Sequence, residues 1–198
     1  MRLRAQLVSV ASAVVILVGC GSSTPSTAPE TSAVPTDTGV DGFSLNPAEI
    51  EFAQGMIAHH EQAIEMAEIA LDPSVGAGAA VTDLATRIMA AQDPEIDLMT
   101  GWLTSVGASL TMDMSNGHDM SSMEGMMSAD EMDALAEATG QEFDRLWLAM
   151  MIEHHEGAIS QSETVLAEAS NAEVIALAES VIATQRSEIE EMRALLDG

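Results

Sequence analysis

The chain has 198 residues, of which 32 are acidic and only 6 are basic, so its formal net charge is −26 at neutral pH. This balance argues against nucleic acid as a partner, because phosphate binding relies on the Lys and Arg side chains that the chain lacks. The single cysteine excludes an intramolecular disulfide, and an acidic surface of this kind attracts cations without selecting among them.

Residues 1–19 have the pattern of a secretory signal. Arg2 and Arg4 form a charged start, and the apolar stretch that follows is too short for a membrane-spanning helix. The signal ends at residues 17–20, which resemble the lipobox of bacterial lipoproteins and imply cleavage before Cys20 and a lipid on its sulfur. The protein is therefore predicted to be exported and to meet the cell membrane only through that lipid anchor. The alternative is an ordinary signal peptide that ends at a free cysteine.

The next stretch, residues 20–45, is rich in Ser, Thr, Pro and Gly. Such a composition cannot bury enough apolar surface to fold, so a flexible tether is predicted. The remainder, residues 46–198, is long enough to enclose a core and is predicted to form one domain. Its apolar residues recur at helical spacing, and no stretch alternates apolar and polar residues as a strand would, so the fold class is all-α.

Helix start and stop signals divide the domain into four long helices and one short helix. The predicted helices, in chain order, cover about residues 47–71, 81–103, 129–138, 141–169 and 172–196. Pro94 lies inside the second, where a kink or a break is expected because proline lacks a backbone N–H and clashes with the preceding turn. Two helical hairpins joined by a long crossover predict a four-helix bundle.

An internal repeat supports this division. The sequence Met-x-x-His-His-Glu occurs in the first long helix and again 95 residues later in the third, and Gln-x-x-Glu-Ile-x-x-Met occurs in the second and the fourth. The repeat halves are about 46–103 and 141–198, and a methionine-rich connection, 104–140, joins them. The repeated polar and thioether residues are Met56, His59, His60, Gln92 and Glu95 in the first half and Met151, His154, His155, Gln185 and Glu188 in the second.

Helical wheels direct these residues towards the interior of the bundle. At about 100° per residue, His60 and His155 lie within the apolar arcs of their helices, while His59 and His154 fall at the edges of those arcs. The Gln and Glu residues of the second motif also lie on apolar sides. A buried hydrogen-bond network without an ion would account for this arrangement, and so would the coordination of a metal ion.

Methionine beside histidine favours a soft ion. Met56 and Met151 stand one turn from the histidines of their helices, a spacing that lets two side chains reach one ion. Thioether sulfur and neutral imidazole favour Cu(I), and by the same softness Ag(I), whereas Mg²⁺, Ca²⁺ and Mn²⁺ prefer oxygen. The repeated Gln and Glu residues would then orient the histidine rings. Because protonation of imidazole competes with the metal, binding is expected to weaken below about pH 6.5.

The crossover carries a methionine-rich segment that is interleaved with Asp, Ser, Asn and Gly. It lacks the Leu and Ile among which core methionines normally pack, so a loop that wraps a soft ion is predicted, and a linker that caps the bundle is the alternative. The candidate ligands in this segment are Met112, Met114, His118, Met120, Met123, Met126 and Met127. The methionines predicted to belong to the core are Met66, Met89, Met99 and Met192.

Four features follow one another along the domain, namely Phe-x3-Met-x-x-His-His, Gln-x-x-Glu-Ile-x-x-Met, the methionine-rich segment and the stretch 143–159. This order resembles the domain-of-unknown-function 305 family over about residues 46–196. The resemblance implies a ferritin-like four-helix bundle that is often exported, with copper or silver binding and tolerance in some members. Carried over to this chain, the paired histidines of the family are His59, His60, His154 and His155, and its methionines are Met56 and Met151.

The predicted function is that of an exported lipoprotein that binds Cu(I) or Ag(I) for buffering, tolerance or transfer to other copper-handling proteins. No chemistry on a substrate is expected, so the protein is predicted not to be an enzyme. A ferritin-like di-iron oxidase is one alternative, but Met56 and Met151 stand where its Glu-x-x-His motifs carry glutamate, which disfavours iron. A metal-free lipoprotein whose bundle serves protein contacts is the other alternative.

Overall fold

The structure is a computed structural model that describes residues 43–112 and 123–198. These ranges contain five α-helices, namely α1, Pro47–Leu71, α2, Ala79–Val106, α3, Ala129–Glu137, α4, Gly140–Leu166, and α5, Ala172–Asp197. The predicted all-α fold with two helical hairpins, α1–α2 and α4–α5, is confirmed, and the short helix α3 lies in the crossover. The predicted signal, most of the tether and four predicted site residues lie outside the described ranges; these residues are Cys20, Met114, His118 and Met120.

Side-chain caps and a glycine fix several helix ends. The Asn46 side chain accepts a hydrogen bond from the backbone N–H of Glu49, and the Glu49 side chain accepts one from the backbone N–H of Asn46, a reciprocal capping box that starts α1. Ser128 and Glu131 start α3 in the same way. α2 ends at Val106 and is capped by Gly107, whose φ of 70° is a left-handed conformation that glycine adopts without steric cost.

α2 does not break at Pro94, which was one of the two outcomes expected for the second helix. It runs as a single helix from Ala79 to Val106 with Pro94 inside it. Proline removes one backbone donor, but Ile88 before it and Met99 after it are fully buried in the core, so packing on both sides keeps the helix continuous. The two hairpins therefore both contain long, uninterrupted helices.

α1 and α4 pack face to face and run antiparallel. At the start of α1, the buried Glu49 carboxylate accepts hydrogen bonds of 2.7 Å from the backbone N–H groups of Ser170 and Asn171, in the turn after α4. Its repeat counterpart Asp144, at the start of α4, accepts one of 2.9 Å from the N–H of Gly78, in the turn between α1 and α2. An acidic side chain of each hairpin therefore fixes the turn of the other hairpin through hydrogen bonds. α4 ends at Leu166, earlier than the sequence predicts.

The core consists of two hydrophobic clusters, one at each end of the bundle. One contains Phe52 and Trp102, and the other contains Phe143, Trp147 and Leu84. On each long helix, the polar residues of the repeat lie between positions that enter one cluster and positions that enter the other. We call this polar level the histidine layer; it comprises His59, His60, His154 and His155 with Gln92, Glu95, Gln185 and Glu188.

The methionines predicted for the core lie in or against these clusters. Met66, Met99 and Met192 are fully buried, and Met89 is half-buried against a cluster. Within the described ranges, no helix combines the length and the apolar character needed to span a membrane.

Candidate metal centre

The four repeated histidines are shielded from solvent at the centre of the histidine layer. His59, His60 and His155 are fully buried, and His154 is 1% exposed. The helical wheel predicted edge positions for His59 and His154, but both lie as deep as their neighbours, because α1 and α4 pack directly on each other and cover those edges. The rings of His59 and His154 accordingly pack together, with centroids 3.8 Å apart and planes inclined by 51°.

Carboxylates hold the other two histidines. The Nε2 atom of His60 lies 2.8 Å from a Glu95 carboxylate oxygen, and Nε2 of His155 lies 2.8 Å from a Glu188 carboxylate oxygen. A carboxylate accepts hydrogen bonds, so a neutral ring in each pair carries its proton on Nε2 and leaves Nδ1 with a free lone pair. Each glutamate thereby orients a ring and selects the nitrogen that can bind an ion.

Six buried ring nitrogens in the part of the chain that the structure describes have no hydrogen-bond partner. They are both nitrogens of His59 and of His154, and Nδ1 of His60 and His155. Hydrogen bonds within the layer therefore do not satisfy these rings. Leaving a buried polar atom unpaired costs about 1–3 kcal/mol. A neutral imidazole has one N–H and one lone pair, so each of the four rings can offer one of these nitrogens to an ion, which makes the donor set fit a metal.

Burial also keeps two of these rings neutral. Burial, together with the charges of His60 and His155 when those rings are protonated, lowers the pKa of His59 to about 3, while the backbone carbonyl of Glu124, which forms no hydrogen bond with the ring, opposes the change. Burial, together with the charges that the other three rings carry when protonated, holds the pKa of His154 well below its ordinary value. Neutral imidazole binds metal, so these two rings are ready to coordinate below the pH of about 6.5 expected from an exposed histidine.

The two predicted methionine ligands lie on opposite sides of the histidine layer. Met56 is fully buried in the cluster that contains Phe52, and Met151 is fully buried in the cluster that contains Trp147. Because the two helices are antiparallel copies of one repeat, the two methionines lie one helical turn from the histidines, on opposite sides of the layer.

Among the described residues, neither the histidines nor the carboxylates supply three ligands to one ion by themselves. Within residues 43–112 and 123–198, no three side chains of the His, Cys, Asp and Glu types converge in a group that could hold a metal ion. The carboxylates of Glu95 and Glu188 are each engaged with a histidine ring. A complete donor set in this layer therefore needs methionine sulfur, which favours a soft monovalent ion over iron.

The described methionines of the crossover do not enter the histidine layer together. Met127 is 5% exposed and packs in the hydrophobic cluster around Trp147, and Met126 is half-buried. Met112 and Met123 line a cleft between α1 and α4. The structure therefore separates the predicted loop ligands into different environments.

Residues 123–127, which we call the strap, cross over the bundle beside the histidine layer. Gln62 donates a hydrogen bond of 2.8 Å to the carbonyl of Met127 and accepts one of 2.7 Å from its backbone N–H. Gly125, with φ of 82°, lies against the backbone of α4 at Gly157, where a Cβ atom would overlap the carbonyl oxygen of Glu124. Helical periodicity missed Gln62 and Gly157, although a glycine within a helix can signal such a close backbone approach.

The fold and the sequence are similar to those of several known proteins. The model of the domain of unknown function DUF305 matches residues 49–196. A DUF305 protein from Streptomyces coelicolor, proposed to be secreted, is 28% identical with a TM-score of 0.68, over 76% of this chain and 92% of that one. A DUF305 fragment from Deinococcus radiodurans is 32% identical with a TM-score of 0.68, over 77% of this chain and 97% of that one.

The copper-binding protein CopM is also similar. Its Cu(II)-bound form is 30% identical with a TM-score of 0.63, over 75% of this chain and 95% of that one. CopM has been solved in Cu(I)-bound and silver-bound forms as well. No curated protein sequence matches the chain. The match of the family model over nearly the whole domain shows that this chain belongs to the DUF305 family.

Proposed function

We propose that this protein binds Cu(I), and Ag(I) by the same chemistry, in the histidine layer, and that it buffers the ion or hands it on without chemistry on a substrate. The observation that carries this function is the set of six buried ring nitrogens without partners, flanked by two buried methionine sulfurs. Such mixed donors suit soft ions. The binding of Cu(I) and silver by the related CopM supports the same choice of ion.

Each donor has a distinct place in this function. His59 and His154 offer nitrogens that carry no hydrogen bond, while His60 and His155 offer Nδ1 because a glutamate occupies Nε2. Met56 and Met151 supply the sulfur that distinguishes Cu(I) and Ag(I) from harder ions. The recipient of the ion would be another copper-handling protein.

Export is part of the proposed function. The signal in residues 1–19 and the lipobox-like end at Cys20 would place the protein outside the cytoplasm on a lipid anchor. The Streptomyces coelicolor relative that is proposed to be secreted supports export. The negative charge of the chain would then attract cations to the outer face of the membrane.

Anaerobic Cu(I) titration against a competing chelator tests this function with the full-length protein. The variant M56L/M151L should bind Cu(I) at least about tenfold more weakly than wild type. The matched control M66L/M99L changes one fully buried methionine in each of the same two clusters and should bind nearly as wild type does. Wild-type protein that takes up no Cu(I) at micromolar concentrations would refute the proposed function.

A separate measurement distinguishes a metal binder from a di-iron oxidase. Aerobic addition of Fe²⁺ to the purified protein should give no oxidation beyond that in buffer, because the layer holds two glutamates, Glu95 and Glu188, where such a centre uses four. Repeated turnover of Fe²⁺ would favour the oxidase.

A further inference from the structure

A cleft of about 340 Å³ opens on the side of the bundle between α1 and α4, apart from the histidine layer. Gly55 forms its floor. A Cβ atom at Gly55 would lie 3.2 Å from Oε1 of Gln161, 3.4 Å from the methyl carbon of Met123 and 3.9 Å from the sulfur of Met112. Side chains from three separate parts of the chain therefore converge on one point above α1.

The chemistry around this point suits a soft cation. The converging groups are two thioethers and one amide oxygen, and the exposed residues Glu51, Glu124 and Glu168 line the cleft. None of the described residues in its wall is Lys or Arg. The carboxylates favour positive charge in general, whereas thioether sulfur selects Cu(I) and Ag(I) among cations. The cleft thus combines attraction of cations with selection among them.

Packing alone does not account for the two methionines. Both Met112 and Met123 are half-buried, so solvent reaches the cleft that they line, whereas the four histidines are closed off. The residue after Met123 is fixed, because the Ser160 hydroxyl donates a hydrogen bond of 2.7 Å to the Glu124 carboxylate. The Met123 thioether therefore lies beside a residue whose side chain is tied to α4.

We propose that Met112, Met123 and Gln161 form a second, solvent-accessible site for a soft monovalent cation, distinct from the histidine layer. The choice of ion rests on the proposed function. Gly55 directly precedes Met56 on α1, so the cleft adjoins the first methionine of the buried layer. This position suits the first capture of an ion that later reaches the histidine rings.

Methyl resonances test the site in the full-length protein, with Ag(I) as the probe and methionine labelled with ¹³C in its methyl group. The signals of Met112 and Met123, assigned with the single variants M112L and M123L, should shift on addition of Ag(I) because coordination changes the electron density on sulfur. They should shift in H59A/H154A as well, since the cleft uses no histidine. Signals that stay in place while those of Met56 and Met151 shift would overturn the cleft site alone.

Calorimetric titration with Ag(I) provides a count of bound ions. The variant M112L/M123L should bind one Ag(I) fewer than wild type, and circular dichroism checks that its helices are intact. The control M89L/M132L makes the same change at two half-buried methionines outside the cleft and should keep the wild-type count. An unchanged count in M112L/M123L, or an equal loss in the control, would overturn the site. Loss in M112L/M123L with no effect of H59A/H154A would instead refute the histidine layer and leave the cleft.

Discussion

Two glutamates decide which nitrogen atoms of the histidine layer are free to bind an ion. Glu95 and Glu188 occupy Nε2 of His60 and His155, and each leaves Nδ1 without a partner. The two pairs differ in exposure, because the Glu188 side chain is 9% exposed and that of Glu95 is 21% exposed. The Glu188 pair should therefore hold its ring more firmly, since water competes less for the carboxylate.

The variant E188Q tests this role of the carboxylate. An amide can donate as well as accept, so it no longer selects the protonated ring nitrogen, and Cu(I) affinity should fall about 10- to 100-fold, as for other residues that orient metal ligands. E95Q should have a smaller effect because Glu95 is more exposed. Competition titrations of both variants give the comparison, and wild-type affinity in E188Q would show that the carboxylate does not set the ligand.

The buried histidines also predict how the stability of the metal-free protein depends on pH. Burial lowers the pKa of His59 to about 3 and that of His154 well below 6.5, so both rings bind protons more readily when the chain is unfolded. Above about pH 6.5 both rings are neutral in the folded and in the unfolded chain, so their protonation does not lower the free energy of unfolding there. As the pH falls from about 6.5 towards 3, the free energy of unfolding should decrease by up to about 1.4 kcal/mol per pH unit for each ring.

Urea denaturation at pH 7, 6 and 5 measures this dependence. The variant H59N/H154N removes both titrating rings and should show a flatter dependence over the same range. If wild type has the same free energy of unfolding at pH 7 and pH 5, the two rings are accessible to protons in the folded protein.

At the scale of elements, both the strap and the contact between α1 and α4 shield these two helices from solvent. The strap lies directly on Gly157 of α4 and is fixed to α1 through both hydrogen bonds of Gln62. It therefore joins the crossover to both helices that carry histidines. Because the histidines have almost no exposed surface, an ion can reach them only if elements such as the strap or the helices move.

The variant G157A should displace the strap, because its new methyl group would overlap the Glu124 carbonyl oxygen. A substitution that overpacks a close contact costs about 1–3 kcal/mol, and that loss should appear in urea denaturation. In the control G101A, an exposed position in α2, the methyl group meets nothing within 4 Å. That control should gain about 0.5–1 kcal/mol from helix propensity. Equal effects of the two substitutions would show that the strap does not dock on α4.

The sequence allowed the helices, the repeat and the hairpins to be predicted, because periodicity and caps are local. α1 was predicted with the bounds that it has in the structure, whereas the continuity of α2 through Pro94 depends on packing that local rules do not include. The depth of His59 and His154 escaped the helical wheel for the same reason. A wheel treats one helix alone, and these rings are covered by the partner helix.

At the scale of the whole molecule, a polar layer divides the core between two hydrophobic clusters. The clusters can hold the four long helices together, while the unpaired nitrogens of the layer weaken the metal-free fold. An ion that binds only the folded protein would add stability in proportion to its affinity and concentration. Structure and function are thus coupled in this layer, since the groups that destabilise the bundle are those that would bind the ion.

X-ray absorption spectroscopy of the Cu(I)-loaded protein tests the mixed donor set most directly. The sample should be M112L/M123L with one equivalent of Cu(I), so that the cleft does not contribute sulfur. We predict that both sulfur and imidazole nitrogen will be found among the atoms bound to copper, because Met56 and Met151 flank the four histidines. A copper ion bound by nitrogen and oxygen alone would contradict this account of the histidine layer.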